Sequence, residues 1–407
     1  MPIIPELIQP NEWKHLYARR MEAMRSSAVR DLFEAASRPG IISLSGGMPD
    51  IAGLPLEEIS ASVARAILEE GVAALQYGNT VGRLQTREVV CDLMKDFNIE
   101  ITPDDLIITS GAQQALELLG KTMLDRGDIV ITEGPSYLGA LQAFSAYEPD
   151  VHTIASDKNG MNTDLLAEEL ALLGPRGAKF IYTIPNFNNP SGVTMSLERR
   201  KRLLELAREY NILVIEDDAY GRLRFEGEHL PALRSLDPGV LYLGTVSKVF
   251  APGLRTGWVI GPQSILDKIK LVKQGDDLCG STLNQVIVER YFTEIDWRST
   301  LDATIGRYRI RRDALLTALE EFFPAEAQWT CPQGGLFVWI TLPETISTKQ
   351  LLPFALEKGV TFVPGDGCYP AGRSEGNSTL RVCFSYETPE RLREAIRRLA
   401  EVIKEHL

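Results

Sequence analysis

From about Leu106 to Gly261 the chain alternates short apolar runs with amphipathic segments. The segments "GAQQALELLGKTML" and "LERRKRLLELAREY" have the periodicity of helices, and the apolar runs between the segments predict strands. Those runs are "LIITS", "DIVITEG", "AKFIYTI", "ILVIED" and "VLYLGTVSK". Short, almost wholly apolar strands separated by helices are typical of a parallel sheet that is covered on both faces. We therefore predict an α/β domain with a mainly parallel sheet sandwiched by helices.

After about residue 295 the pattern changes. A long amphipathic helix through "YRIRRDALLTALEEFF" precedes "GGLFVWITL", a helix, "VTFVPG", "TLRVCFS" and a last helix. Thr388 and Pro389 stand where the N-cap and the first residue of that last helix belong. One face of the helix carries six apolar residues: Leu392, Ala395, Ile396, Leu399, Val402 and Ile403. We predict a large domain over 43–295 and a smaller α+β domain over 296–407 that packs with the N-terminal segment 1–42.

Composition and charge narrow the possible partners. The 407 residues are 44% hydrophobic and 24% charged, which is typical of a globular protein. The formal net charge of −12 repels phosphate backbones and anionic membranes, so neither nucleic acid nor a membrane is expected as a partner. The N-terminus lacks the apolar core of a signal peptide, and no run approaches the roughly 20 apolar residues of a membrane span.

Cysteine and histidine usage argues against several kinds of site. The five cysteines form no CxxC pair, so we expect reduced thiols in a cytoplasmic protein, each packed in the interior. The four histidines are scattered, which gives little support to a metal site or to a Ser-His-Asp hydrolase. No GxGxxG follows a strand, which disfavours a nicotinamide-dependent dehydrogenase.

Reactive residues follow the predicted strands, at the edge where parallel sheets bind ligands. In chain order they are Ser110–Gln113, Tyr137, Asn186–Gly192, Asp217–Tyr220, Lys248 and Arg255. Taken singly, each is a common turn, cap, core aromatic or surface charge. Together they match the needs of pyridoxal phosphate (PLP): an amine to hold it as an imine, a carboxylate for its ring nitrogen, donors to its phenolate, a flat group against its ring and an anion site.

The segments "NNPSG", "IEDDAYG" and "SKVFAPGLRTGW" resemble the signature segments of fold-type I, class I/II PLP-dependent aminotransferases. The likeness is greatest to the branch that contains 2-aminoadipate and kynurenine aminotransferases. It extends in order over nearly the whole chain through "RPGIISLSGGMPD", "LQYGNTVGRLQTRE", "TSGAQQALEL", "EGPSYLGAL" and "TLRVCFS". The resemblance implies transamination of L-amino acids by a ping-pong mechanism.

The resemblance also implies a role for each residue at the cofactor. Lys248 holds PLP as an imine, is displaced by the substrate amine and then moves a proton, as a desolvated amine can. Asp217 pairs with the pyridine nitrogen, and its neighbour Asp218 is structural. Asn189 and Tyr220 bond the phenolate oxygen, and Tyr137 stacks on the ring. The phosphate is held by the backbone amides of Gly111, Ala112 and Gln113, together with Thr245 and Arg255.

Substrate and partner roles are implied in the same way. Arg381 grips the substrate α-carboxylate, with Asn189 beside it, and Gly47 lines a pocket that admits aminoadipate, branched-chain or aromatic side chains. Arg30 contacts an acidic side chain in relatives. Tyr77 reaches the phosphate of the partner subunit, which implies a homodimer. A 2-oxo acid, with 2-oxoglutarate expected, is the acceptor.

Two positions depart from the family pattern, and two other functions stay open. Ala112 stands where many relatives have serine, and Cys368 replaces a bulkier residue at the pocket. A PLP-dependent lyase or decarboxylase would use the same Lys248 and Asp217. A PLP-sensing transcription factor would need a DNA-binding domain ahead of Ile42, where too few residues stand to form one.

Overall fold

The computed structural model of the protein describes residues 12–22, 24 and 40–407. In this part of the chain the strands are β1 Ile42–Ser43, β2 Leu106–Thr109, β3 Ile129–Gly134, β4 Asp150–Asp157, β5 Gly160–Met161, β6 Phe180–Thr183, β7 Leu213–Asp217, β8 Leu241–Thr245, β9 Gly257–Ile260, β10 Gln328–Trp329, β11 Phe337–Thr341, β12 Val360–Thr361, β13 Val363–Pro364 and β14 Thr379–Cys383. The α-helices are α1 Leu56–Glu70, α2 Val72–Leu75, α3 Leu84–Lys95, α4 Gly111–Met123, α5 Leu138–Ser145, α6 Thr163–Leu173, α7 Leu197–Glu209, α8 Leu233–Leu236, α9 Gln263–Asp276, α10 Thr282–Glu294, α11 Trp297–Phe322, α12 Thr348–Glu357 and α13 Pro389–Glu405.

The largest sheet has eight strands in the order β2-β9-β8-β7-β6-β3-β4-β5. The pairs from β8 to β4 are parallel, so the predicted mainly parallel sheet is confirmed. The pattern did not predict β9, which is antiparallel to both β2 and β8. Since β2 and β8 each run against β9, they point the same way. The carboxyl ends of β2, β3, β6, β7 and β8 therefore share one edge of the sheet.

Helices cover both faces of this sheet. Successive strand residues point to opposite faces, so Val130 and Ile131 on β3 belong to different apolar clusters. The cluster of Ile131 includes Leu170 of α6 and Leu203 of α7. The cluster of Val130 includes Leu116 of α4. The sheet is thus a buried layer, and its strand ends form a rigid edge on which a site can be built.

A second sheet is antiparallel, with the order β10-β11-β14-β13. Helix α13 packs along α11 beside it. The six apolar residues predicted to share a face of α13 are all buried, and Thr388 caps the helix by accepting a hydrogen bond from the Arg391 amide. The α+β character predicted for this part of the chain is confirmed.

The chain after Gly40 is bonded to the C-terminal elements. Strand β1 pairs in parallel with β12, and the Leu44 carbonyl accepts from the Cys383 amide at 2.8 Å. Farther along, the Tyr308 hydroxyl of α11 lies 2.6 Å from the Asp50 amide nitrogen, which donates to it. Residues 42–50 thereby bond to the C-terminal elements at both ends. The domain boundaries between residues 42 and 43 and between residues 295 and 296 stay a prediction.

Two expectations from composition meet different outcomes. Among the described residues, no helix has the length and apolar character needed to cross a bilayer. All five cysteines are free thiols, but only Cys368 and Cys383 are buried. Cys331 is exposed, so the expectation of interior packing is wrong there. That residue lies in the loop between β10 and β11.

Candidate active site

Lys248 lies just beyond the carboxyl end of β8. Its Nζ donates to the Gly47 carbonyl oxygen at 2.7 Å. Burial lowers the pKa of this amine to about 8, with the positive charges of Arg381 and Arg255 acting in the same direction against the opposing influence of Cys383. A lysine with that pKa has a sizeable neutral fraction near neutral pH, so it can act as a nucleophile and as a base.

Asp217 ends β7, the strand next to β8. The side chain is buried, and its Oδ2 accepts from the Tyr182 hydroxyl at 2.8 Å. Its Oδ1 is buried, and none of the described residues donates a hydrogen bond to it. Burial raises the pKa of Asp217 to about 7, the nearby Asp218 raises it further, and the Tyr182 hydrogen bond opposes both. A buried carboxylate oxygen without a donor is unusual and indicates that a donor is missing.

Asp218 has the opposite character. Its Oδ1 accepts from the Gly221 amide at 2.9 Å and from Asn186 Nδ2 at 3.1 Å. Its Oδ2 accepts from the Tyr242 hydroxyl at 3.1 Å. Both oxygens are therefore used inside the protein, where they fix the turn after β7. This arrangement agrees with the structural role expected for Asp218.

Arg381 on β14 joins the two sheets at the site. Its Nη1 donates to Asn189 Oδ1 at 2.8 Å, and its Nη2 donates to the Ser45 carbonyl at 2.8 Å. Asn189 Nδ2 in turn lies 3.2 Å from the Tyr220 hydroxyl. All three side chains are at most 5% exposed, and burial raises the pKa of the Tyr220 phenol. The amide, the phenol and the guanidinium form one connected set.

A cradle for an anion opens where β2 passes into α4. The first-turn amides of Gly111, Ala112 and Gln113 lie at the start of this helix, where no intrahelical acceptor is available. Gly111 has φ +76°, and a Cβ there would lie 2.6 Å from Nη2 of Arg255. Arg255 is itself left-handed, with φ +49°, and its Nη2 donates to the Ser110 carbonyl at 3.4 Å.

Thr245 and Gly257 complete this corner. The Thr245 hydroxyl donates to the Thr256 carbonyl at 3.1 Å and lies 2.8 Å from the Ser247 hydroxyl. A Cβ at position 257 would lie 2.7 Å from the carbonyl carbon of Gly111. Glycine at 257 therefore allows β9 to begin directly against the start of α4. The methyl side chain of Ala112 offers no hydrogen bond to an anion, which leaves its backbone amide.

Tyr137 follows β3 and folds back over its own helix. A Cβ at Gly139 would lie 2.4 Å from its Cζ, so only glycine admits the ring there. The Tyr137 hydroxyl donates to Gln113 Oε1 at 3.3 Å, and Gln113 Nε2 donates to the Gly139 carbonyl at 2.9 Å. No local pattern indicates this use of the Gln113 side chain, because its partners lie 24 and 26 residues away.

The structure does not bring every predicted residue into this cluster. Tyr77 is 80% exposed on the surface of its own chain. Arg30 lies outside the described residues. Tyr182 and Ser45, in contrast, contact Asp217 and Arg381 and were not predicted. A tyrosine in an apolar strand and a serine before a glycine pair look like ordinary core and loop residues.

The residues present fit PLP. The unpaired Oδ1 of Asp217 can accept from a protonated pyridine nitrogen, and the Lys248 amine can bond an aldehyde carbon. Asn189 and Tyr220 offer donors for a phenolate oxygen, while the start of α4 and Arg255 offer amides and a positive charge for a phosphate. The strongest evidence for this fit is Oδ1 of Asp217, because it needs a hydrogen-bond donor that the described residues do not supply.

The comparisons with known proteins agree. The family model described as aminotransferase class I and II matches residues 39–399. The aromatic-amino-acid aminotransferase 1 of Thermococcus litoralis is 42% identical over 402 residues, which are 97% of this chain and 96% of the relative.

Solved structures of the same size are also similar. A kynurenine aminotransferase of Pyrococcus horikoshii, in complex with PMP, has 42% identity and a TM-score of 0.92 over 98% of this chain and 99% of that one. LysN, the alpha-aminoadipate aminotransferase of Thermus thermophilus, complexed with N-(5'-phosphopyridoxyl)-L-leucine, has 37% identity and a TM-score of 0.89 over 97% and 98%. The chain belongs to the class I and II aminotransferase family, and it is a PLP-dependent aminotransferase of fold type I.

Proposed function

We propose that the protein transfers the amino group of aromatic, branched-chain or 2-aminoadipate-type L-amino acids to a 2-oxo acid, with 2-oxoglutarate the expected acceptor. The proposal rests on two groups at one edge of the sheet. One is the buried Oδ1 of Asp217, which has no donor among the described residues, and the other is the Lys248 amine with its lowered pKa. The amino acids proposed as amino donors are suggested by the similarity to the aromatic and kynurenine aminotransferases and to the α-aminoadipate enzyme that is complexed with a leucine adduct.

Bound PLP supplies an electron-accepting ring that stabilises negative charge at the substrate Cα. Asp217 keeps that capacity by holding a proton on the ring nitrogen. Its negative charge is costly in this buried position without a cation, which is why burial raises its pKa to about 7. Oδ1 of Asp217 would accept from a protonated ring nitrogen, whose positive charge would offset the cost of the buried carboxylate.

Lys248 tethers the cofactor and then acts as a base. Lys248 would hold the cofactor through its amine, and in its free form the Nζ would take and return a proton at the substrate Cα. Because burial lowers its pKa to about 8, the neutral form needed for the first transfer is accessible. The Gly47 carbonyl at 2.7 Å gives the free amine a fixed acceptor.

Arg381 binds the α-carboxylate of the substrate. A guanidinium presents parallel N–H groups that match a carboxylate. Arg381 is buried, and its Nε has no partner among the described residues. Its Nη1 already holds Asn189, the proposed phenolate donor. Binding of a carboxylate at Arg381 is therefore linked through one hydrogen bond to the group that tunes the cofactor.

The pocket wall supports a broad range of donors. Gly47 has no side chain, and the resemblance implies that the buried Cys368 stands where relatives have a bulkier residue. Both features leave room for a side chain longer than that of aspartate. Arg30 would add selectivity for an acidic side chain, and this role remains a prediction from the resemblance.

A homodimer is the second part of the proposal. Four side chains that are 66–84% exposed cluster along α1, α2 and the residues after them: Leu68, Val72, Leu75 and Tyr77. A patch of this kind indicates a protein partner. A second copy that covers the patch would carry Tyr77 towards the phosphate of the neighbouring subunit. The cytoplasmic location stays a prediction from composition.

One chemical experiment tests the core of the proposal. Borohydride reduction of the holoenzyme, followed by peptide mapping, should place the cofactor on Lys248, and Lys248→Ala should lose both the label and turnover. Addition of an L-amino acid without a 2-oxo acid should then yield one equivalent of keto acid and pyridoxamine phosphate. Continuous release of ammonia or CO₂ would instead indicate a lyase or a decarboxylase. A panel of L-amino acids against 2-oxoglutarate and pyruvate ranks the substrates.

A further inference from the structure

One aromatic ring contacts two of the site residues. Phe337 begins β11 and is 1% exposed. The guanidinium carbon of Arg381 lies over its ring, 4.2 Å from the centroid. The ring of Tyr220 meets it edge to face, with centroids 5.8 Å apart and an interplanar angle of 80°. Phe337 thus lies between the guanidinium and the phenol.

The far end of the same ring meets a third part of the site. A Cβ at Gly47 would lie 3.0 Å from Phe337 Cζ and 3.4 Å from Cε1. Gly47 therefore faces the ring, and an added Cβ would make a tighter contact with the ring than most Cβ atoms make. Its carbonyl is the acceptor for Lys248 Nζ at 2.7 Å. The ring therefore packs against the residue whose carbonyl bonds Lys248.

The hydrogen bonds of Arg381 leave one rotation of its guanidinium unrestrained, and the Phe337 ring can restrain it. Nη1 and Nη2 donate to Asn189 Oδ1 and to the Ser45 carbonyl, at 2.8 Å each. Two bonds at one end of a planar group leave rotation about the axis through them. A cation over the face of a buried aromatic ring is attracted to it, which favours a guanidinium plane that lies over the ring.

We infer that Phe337 is a positioning residue for the proposed active site: its ring orients Arg381 for the substrate carboxylate and packs against Gly47, whose carbonyl bonds Lys248. The inference rests on the proposed carboxylate role of Arg381. It predicts that carboxylate affinity depends on the charge distribution of the ring at position 337 and not only on its volume.

The test measures binding, not turnover. The probe is 3-phenylpropanoate, a carboxylate without an amino group, titrated into the holoenzyme by calorimetry. Phe337→Leu keeps an apolar side chain but removes the ring, and it should raise the Kd of the probe about two- to thirtyfold, the range of a cation–π contact. Incorporation of 3,5-difluorophenylalanine at 337 keeps the shape and weakens the negative face. It should raise the Kd by a smaller factor and keeps the inference testable if Phe337→Leu does not fold.

Phe384→Leu is the matched control, because Phe384 is also fully buried in this domain and packs edge to face on Phe225. Its Kd should stay within about twofold of wild type, the low end of the cation–π range. Gly47→Ala should weaken binding, and less so in the Phe337→Leu background, where the ring is gone. If both Phe337 variants bind the probe as wild type does while Arg381→Lys binds it more weakly, the inference about Phe337 is wrong and the carboxylate role of Arg381 stands. An unchanged Kd in Arg381→Lys would overturn the carboxylate role of Arg381, and this inference with it.

Discussion

Arg381 and Asn189 are joined across the two sheets by a hydrogen bond of 2.8 Å between Nη1 and Oδ1. The residues are 192 positions apart in the sequence, and both are buried. Hydrogen bonds that involve a charged group contribute about 1.5–3 kcal/mol each. The bond therefore has enough energy to make the grip on a carboxylate and the tuning of the cofactor depend on each other.

Arg381→Lys keeps the positive charge but loses the planar fork. We expect kcat/KM to fall about ten- to a hundredfold, since one charge-assisted hydrogen bond is worth about 1.5–3 kcal/mol. Steady-state kinetics with an aromatic amino acid measure the loss. Arg397→Lys on α13, where Arg397 pairs only with surface carboxylates, is the control and should be neutral. Equal kinetics in the two variants would contradict the carboxylate role.

Asp217→Asn and Asp218→Asn should have different effects, although the residues are neighbours. Asp217 has an oxygen without a donor among the described residues, so its amide variant should keep the thermal stability of the apoprotein while cofactor affinity and turnover fall at least about a hundredfold. Asp218 accepts three hydrogen bonds, and an amide there removes the charge that strengthens them and reverses the bond with the Tyr242 hydroxyl, which should cost about 1–3 kcal/mol of unfolding free energy. Apoprotein melting and PLP titration measure both. Similar melting losses in the two variants would refute the distinction.

The strand ends could be predicted from the sequence, because the apolar runs before Asp217 and Lys248 are local and unbroken. The carboxyl-end rule then placed their side chains on one edge without knowledge of any contact. Strand β4 was not predicted, since "DVHTIASD" alternates polar and apolar residues, unlike its buried neighbours. Strand β9 was not predicted, because its apolar residues directly follow the Arg255 loop and resemble a continuation of that loop.

Contacts between distant segments could not be predicted. Phe337 looks like one more apolar residue of "GGLFVWITL", and only the folded chain brings its ring under Arg381. The acceptor for Lys248 is a backbone carbonyl 201 residues away, and a carbonyl has no identity in the sequence. Family resemblance supplied roles for Arg381 and Tyr77, whereas residue patterns alone did not.

The pH dependence of Lys248 follows from its burial. Its folded-state pKa is about 8 against an ordinary 10.5, so between these values the unfolded chain binds more protons and stability rises with pH. In the apoprotein, trace acetylation of Lys248 should rise to a plateau above about pH 8, as peptide mapping can follow. Arg381→Gln should move the midpoint upward, because one positive charge that lowers the pKa is removed. A midpoint near 10.5 in wild type would contradict a desolvated amine.

Glu133 is a buried carboxylate behind the Asn189 loop. Its Oε2 accepts from the Ile184 amide at 2.9 Å and from Asn188 Nδ2 at 2.7 Å. Glu133→Gln can keep both bonds through its carbonyl oxygen without a charge in the interior. Glu133→Ala leaves two buried donors unpaired and should cost about 1–3 kcal/mol for each. Denaturant unfolding should therefore rank the alanine variant well below the glutamine variant.

The same pair of variants tests the sign of a pH effect. Burial raises the pKa of Glu133 from 4.5 to about 7, so between these values the folded state holds the proton that the unfolded state has released. Wild type should lose stability relative to Glu133→Gln as the pH rises from about 4.5 to 7. A constant difference between the two proteins over this range would show that the folded and unfolded states release this proton at the same pH, so that burial does not raise the pKa.

Leu68 and Leu172 allow a controlled test of the proposed dimer, because each is 84% exposed on its own chain. Leu68 lies in the apolar patch with Val72, Leu75 and Tyr77, whereas Leu172 is near the end of α6. Leu68→Glu would bury a charge in an interface and should shift the mass seen in sedimentation from dimer to monomer, with a loss of PLP affinity as Tyr77 leaves the neighbouring site. Leu172→Glu should leave both unchanged. A dimer that persists in Leu68→Glu would show that the interface does not include this part of α1.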